Sequence, residues 1–160
     1  MGTYDVAQIC MNGHCVNSDY NILPELRAAY CSKCGAETII KCPSCGADIR
    51  GYYDVPGAIA SVSSDNVPAH CHQCGEAYPW TAAQLDAAKE YVRMLEEFTD
   101  EEKEQVEQVL IDISQDGPRA EAGAKKLLLF LRKLKDDVAA GLRELAIQIA
   151  AETVKRMLTP

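Results

Sequence analysis

The stretch Tyr30-Cys31-Ser32-Lys33-Cys34-Gly35-Ala36-Glu37-Thr38-Ile39-Ile40-Lys41-Cys42-Pro43-Ser44-Cys45-Gly46 decides the fold of the first half of this chain. It carries two Cys-x-x-Cys-Gly turns in close succession. Outward from it, Cys10 and Cys15 lie upstream and Cys71-His72-Gln73-Cys74-Gly75 lies downstream, so all eight cysteines fall into four close pairs. A Cys-x-x-Cys turn sets two thiolates on one side of a tight bend, and a tetrahedral zinc site needs sulfurs converging at about 2.3 Å from the metal. The glycine after the second cysteine takes a positive φ without steric cost, and Pro43 fixes φ inside its turn. One such pair is also a redox motif, whereas four in a row point to two structural metal sites.

Taken in order, the pairs give one ribbon over residues 10–34 and a second over residues 42–74. Each leaves between its two knuckles a connection long enough for a β-hairpin. A cross-braced arrangement, first pair with third and second with fourth, is the alternative. The first pair is irregular. Cys10-Met11-Asn12-Gly13-His14-Cys15 contains an Asn-Gly turn that suits a type I′ hairpin. That hairpin would set Cys10 opposite Cys15 and favour Cys15 as the ligand. His14 competes, because Cys-x-x-x-His is also a usable zinc spacing. One of the two, with Cys31 and Cys34, completes a four-coordinate site. The expected cofactors are two structural Zn2+ per chain, the second held by Cys42, Cys45, Cys71 and Cys74.

The composition changes near Trp80-Thr81. Residues 1–80 hold every cysteine and few large apolar side chains, whereas residues 81–160 are rich in Ala, Leu, Glu and Lys. We therefore expect two domains, a ribbon module and a helical region, in an α+β chain. The metal would supply much of the first module's folding free energy, on the order of 10–16 kcal/mol per site in isolated zinc peptides. Disulfides are the competing use of the cysteines. The opening Met1-Gly2-Thr3-Tyr4-Asp5 has neither the basic segment nor the apolar run of a secretory signal, and Val6 departs from the myristoylation pattern. The longest apolar run, residues 127–131, is far short of a membrane span. A reducing compartment, the cytoplasm, is the expected location.

Net charge is −8. Residues 1–80 carry four Lys/Arg against eight Asp/Glu, and residues 81–160 twelve against sixteen. A zinc ion with four thiolates adds negative charge, so the holo module is a poor footprint for phosphates. Nucleic acid is not an expected partner unless Lys33, Lys41 and Arg50 line one face. His70 and His72 flank Cys71 and read as exposed knuckle residues rather than catalysts. Tyr52, Tyr53 and Trp80 read as the small apolar core beneath the metals rather than a base-stacking platform. Pro56-Gly57 reads as a turn.

In the second half, Thr81-Ala82-Ala83-Gln84 has the form of a capping box opening a helix to Phe98, and Thr99-Asp100-Glu101-Glu102 repeats the signal. Val106, Val109, Leu110 and Ile113 share one helical face. Gly117-Pro118 separates the next helix. The chain is then helical to about Leu158, with a break near residues 135–137. Val138, Leu142, Leu145, Ile147, Ile149, Val154 and Leu158 form a wide apolar stripe. Charge is segregated: residues 99–116 hold seven acids and one lysine, residues 119–135 six bases and one acid. A basic amphipathic helix on an anionic membrane surface is one reading of residues 125–135. Burial in a bundle and a homo-oligomer interface is the favoured one.

The chain resembles an uncharacterised bacterial family of double-zinc-ribbon proteins with a helical C-terminal region. The matching runs are Cys10-Met11-Asn12-Gly13-His14, Cys31-Ser32-Lys33-Cys34-Gly35, Cys42-Pro43-Ser44-Cys45, Ile49-Arg50-Gly51, Val55-Pro56-Gly57, Cys71-His72-Gln73-Cys74-Gly75 and Pro79-Trp80-Thr81. The family's first motif ends at the histidine, so the resemblance implies His14 rather than Cys15 as ligand. It implies no activity. The function expected from the sequence is a non-enzymatic docking or adaptor protein with an unidentified protein partner. A nucleic-acid-binding ribbon, or a zinc-dependent or thiol-redox enzyme, are the alternatives.

Overall fold

The computed structural model describes residues 1–58 and 67–160. It divides into two compact units, Met1–Ala82 and Ala83–Pro160. The N-terminal unit is built from β1 (Thr3–Val6), β2 (Gln8–Cys10), β3 (Cys15–Asn17), β4 (Thr38–Ile39) and β5 (Arg50–Asp54). Strands β3, β2 and β4 form one antiparallel sheet in that order, and β1 pairs with β5 in a second. β1 precedes the first knuckle and β5 follows the third, so this pairing ties the two ribbons together. Ala7 N–H donates to the Ile49 carbonyl at 2.8 Å, and Tyr52 N–H to the Ser18 carbonyl at 2.8 Å. Gly51 sits where a Cβ would lie 2.2 Å from the Ser18 carbonyl oxygen, so the two backbones approach as only glycine permits. The connection in the second ribbon runs through residues 59–66, outside the described residues.

Ala7, Ile9, Cys42, Ile49, Cys71, Tyr78 and Trp80 form the small apolar core of this unit. Tyr78 and Trp80 stack with centroids 4.7 Å apart. Trp80 belongs to this core as expected. Tyr53 instead pairs at the surface with Tyr4, rings 4.7 Å apart, and the aromatic that the sequence reading passed over, Tyr78, is buried. Three buried polar side chains order the connection after β3. Asp5 accepts hydrogen bonds from the backbone of Val6, Asn21 and Ile22 and from the Asn21 amide. Gln8 donates to the Ala28 carbonyl and Thr38 hydroxyl and accepts from Ala28 N–H. Asn17 donates to Leu23 and accepts from Asp19 N–H. Each buried polar group is thus matched by partners, which removes the desolvation penalty of burial.

The helices are α1 (Pro79–Met94), α2 (Asp100–Ser114), α3 (Pro118–Leu131), α4 (Asp136–Ile149) and α5 (Glu152–Leu158). The expected Thr81 capping box is absent. The helix starts two residues earlier, Thr81 N–H donates to Tyr78, and its hydroxyl donates to the Ala69 carbonyl at 2.8 Å. α1 also stops short of Phe98, at Met94. Thr99 forms the capping box expected of it, taking Glu102 N–H at 3.2 Å while the Glu102 carboxylate takes Thr99 N–H at 3.0 Å. Pro118 opens α3 behind Gly117, as expected. The terminal region has two interruptions, before Asp136 and at Ala150-Ala151, where Ala151 N–H donates to the Ile113 carbonyl at 2.8 Å. The core joins Val92, Phe98, Leu110, Ile113, Leu127, Leu131, Leu142, Ile149, Val154 and Leu158. Most of the apolar stripe is therefore covered within one chain, and Leu129 is the side chain of the 127–131 run left 59 % exposed. None of the helices among the described residues is long and apolar enough to cross a membrane.

Candidate metal centres

Three knuckles share one hydrogen-bond frame. In each, the N–H of the glycine returns to the carbonyl of the first cysteine: Gly35 to Cys31 at 2.7 Å, Gly46 to Cys42 at 2.9 Å, Gly75 to Cys71 at 2.9 Å. The N–H of the first cysteine then donates to the residue after the glycine: Ala36, Ala47 or Glu76. Isolated bridges Tyr30↔Glu37, Lys41↔Asp48 and His70↔Ala77 close each knuckle at the same offset. The three glycines have φ between 73° and 78°, the left-handed region the sequence assigned to them. The first cysteine of each turn is buried and the second is exposed.

The first knuckle departs from the type I′ hairpin expected for it. Gly13 N–H donates to the Cys10 carbonyl at 2.8 Å and Cys10 N–H to the His14 carbonyl at 3.0 Å. Only Gly13, at φ 89°, is left-handed; Asn12 is not, and a type I′ turn needs both. The loop therefore has three residues, and the extra one moves His14 opposite Cys10. Cys15 falls opposite Ile9 in β3, half-buried.

The pairs assemble sequentially. Cys10, His14, Cys31 and Cys34 form one group and Cys42, Cys45, Cys71 and Cys74 the other, the ligand atoms within each lying within 4.8 Å of one another. Cys15, His70 and His72 lie outside both groups. The edge lengths identify the geometry. A tetrahedron with 2.3 Å bonds to sulfur has S···S edges of about 3.8 Å, and with one nitrogen at 2.0–2.1 Å the S···N edge is about 3.6 Å. Observed S···S separations are 3.7 Å for Cys10–Cys34, 3.8 Å for Cys42–Cys74 and 3.7 Å for Cys45–Cys71. His14 Nδ1 stands 3.5 Å from Cys10 Sγ and 3.6 Å from Cys31 Sγ. A disulfide requires about 2.05 Å, so these sulfurs are spaced for an ion and not for one another. The donors fit a tetrahedral metal that accepts thiolate and imidazole, with the ring turned to offer Nδ1.

Hydrogen bonds prepare part of each group for ionisation. The Ala36 N–H, and then the Asn12 amide at 3.4 Å, bring Cys34 down to about 6. The N–H of Cys74, with that of Gln73 at 3.4 Å, brings Cys71 down to about 6. Burial raises Cys10. Against the pull of the Glu76 N–H, burial and the neighbours Cys45, Cys71 and Cys42 push Cys74 up to about 12. Four thiols this close cannot ionise together without a cation between them, and a bound dication removes the conflict. Burial, followed by its hydrogen bond to Cys71, raises the Tyr78 hydroxyl well above its ordinary value.

The side chains proposed to test for a nucleic-acid face are differently engaged. Lys41 pairs with Asp48 at 2.6 Å, and the Arg50 guanidinium lies 4.7 Å over the Tyr4 ring. No curated protein and no solved structure gives a significant match to this chain. A family model described as "Uncharacterized protein conserved in bacteria (DUF2321)" covers residues 3–158, and the chain belongs to that family.

Proposed function

We propose that this chain is a non-enzymatic zinc protein in which two structural Zn2+ ions hold a double ribbon that docks onto another protein. The helical region then serves self-association or partner binding, and the reducing cytoplasm is where its thiolates are kept available. The observation that carries this reading is the closure of both ligand groups. Each already offers four donors at tetrahedral spacing, whereas a catalytic zinc keeps one position for water or substrate. Cys-rich donor sets favour zinc over magnesium or calcium, which prefer oxygen. Thiolates held by a metal are also withdrawn from disulfide exchange.

Cobalt substitution tests the reading. Full-length protein should bind two equivalents of Co2+, with thiolate charge-transfer and tetrahedral ligand-field absorption that azide and cyanide leave unchanged. A spectrum that shifts with added azide would reveal an open coordination position and favour hydrolytic chemistry. Uptake of a single equivalent would remove one ribbon. Nucleic-acid binding is the weaker reading, because Asp48 neutralises Lys41 and the net charge is −8. Binding that falls steeply with salt would restore it.

A further inference from the structure

In the helical unit, α2 and α3 enclose an open groove of about 390 Å3. Its apolar lining is Val109, Leu129 and Phe130, and Lys126 and Lys133 stand on its α3 side. Leu129 is 59 % exposed, although Leu127 and Leu131 at the two ends of its run are core. Lys126, Leu129, Phe130 and Lys133 follow the i, i+3, i+4, i+7 spacing of one helical face. An exposed leucine beside an apolar groove is a feature that a partner would cover.

The charges indicate which partner. Within the chain, α2 acids already meet α3-side bases: Glu102 with Lys133, and Asp112 with Arg119. Next to these pairs, Glu101 and Glu104 on α2 and Lys126 and Arg132 on the α3 side are exposed and make no ion pair or side-chain hydrogen bond among the described residues. One surface therefore presents an unmatched acidic row beside an unmatched basic row, separated by the groove. We propose that this face is the interface of a two-fold homodimer, in which the acidic face of α2 in one copy lies on the basic and apolar face of α3 in the other. A two-fold axis running along the groove brings each row onto its complement twice, the self-complementarity that an isologous interface requires. It also covers Leu129 and the groove from both sides. This deepens the reading of the helical region as a self-association region and rests on it. It does not depend on which metal the ribbons hold.

Reciprocal charge reversal in the full zinc-loaded chain tests the proposal. Sedimentation equilibrium across a dilution series should show a dimer for the wild type. Lys126→Glu with Arg132→Glu, and separately Glu101→Lys with Glu104→Lys, should each raise the dissociation constant about 100-fold or more, because like charges then face one another. Mixing the two variants should restore a dimer containing one of each. Leu129→Ser should weaken association without changing the helical circular dichroism, since the side chain is exposed, and it reports on the face even if a charge variant misfolds. A wild-type chain that stays monomeric at about 100 μM overturns the proposal. So does a dimer that none of these changes weakens, or failure of the mixed variants to pair. Zinc stoichiometry measured on the same samples separates this outcome from failure of the ribbon reading.

Discussion

The two units solve the same problem with opposite means. The helical unit buries nineteen apolar residues of its described chain in one cluster, among them Leu110, Ile113, Leu127, Leu142 and Leu158. The ribbon unit gathers seven among its described residues, and two of those are the ligands Cys42 and Cys71. A core that small does not offset the conformational entropy of ordering a comparable length of chain. What replaces it is polar: repeated knuckle hydrogen bonds, buried Asp5, Gln8 and Asn17 with partners supplied, and two donor groups set for an ion. The contrast teaches that short turns and buried polar contacts can set donor groups at metal-binding spacing where hydrophobic volume is lacking.

The largest effect that would break this contrast is metal removal. Chelation should unfold the ribbon unit and leave the helices, because structural zinc supplies on the order of 10–16 kcal/mol in comparable peptides. Amide exchange resolved along the chain checks this. Protection should vanish before Pro79 and persist in α2 to α4, and equal loss in both regions would refute the division. Cys42→Ser should reproduce half of it, emptying the second site only.

A smaller effect sharpens the assignment within the first site. His14→Ala should reduce metal content from two ions toward one under mild chelation, whereas Cys15→Ala should leave two. The opposite ranking would mean that the hairpin reverts to the two-residue form, with Cys15 facing Cys10. In the other unit, Leu142→Ala should cost about 2–5 kcal/mol through lost burial and the cavity left behind, measured by denaturant unfolding of the helical signal. It should not change metal content.

The smallest effects come from the surface of the helical unit. Thr99→Ala removes one side of the capping box and should cost about 1 kcal/mol. The hydrogen bond from Lys133, and then that from Thr99 N–H, holds the Glu102 carboxyl below its ordinary value. A depressed carboxyl contributes stability that is present above its unfolded value and is lost as pH falls through the folded one. Acidification below the ordinary carboxylate range should therefore destabilise the helices slightly. Glu102→Gln should flatten that part of the pH profile.

Much of the architecture was legible because the cysteine spacings and the helical periodicities are local signals. The sequential grouping of knuckles, the capping box at Thr99, the helix start at Pro118 and the mixed α+β class all follow from such signals. The errors share a cause as well. The Thr81 hydroxyl has the form of a cap, yet in the fold it donates to Ala69, a tertiary partner that a four-residue pattern cannot contain. Asn12-Gly13 signals a hairpin correctly but does not fix its loop length, and one residue decides between His14 and Cys15. The resemblance pointed to His14 where the residue pattern left the choice open. Buried Asp5 and Gln8 gave no signal, because their partners other than the Val6 N–H lie 16 or more residues away. The apolar stripe over residues 138–158 looked like surplus surface, and the turn at Ala150-Ala151 folds most of it inward.

The pairing of β1 with β5 has a consequence for the order of events during synthesis. Residues 10–34 contain every donor of the first metal group, so that site can close while the rest of the chain is still being made. β1 precedes that group and finds its strand partner only when Arg50–Asp54 has emerged. At about 5–20 residues per second, this leaves the first strand waiting roughly 2–10 s for its strand partner. The first strand of the unit is thus paired later than the donor group that follows it in the chain. Its Tyr4, which pairs with Tyr53 and Arg50 of β5, stays available to whatever meets the growing chain in that interval.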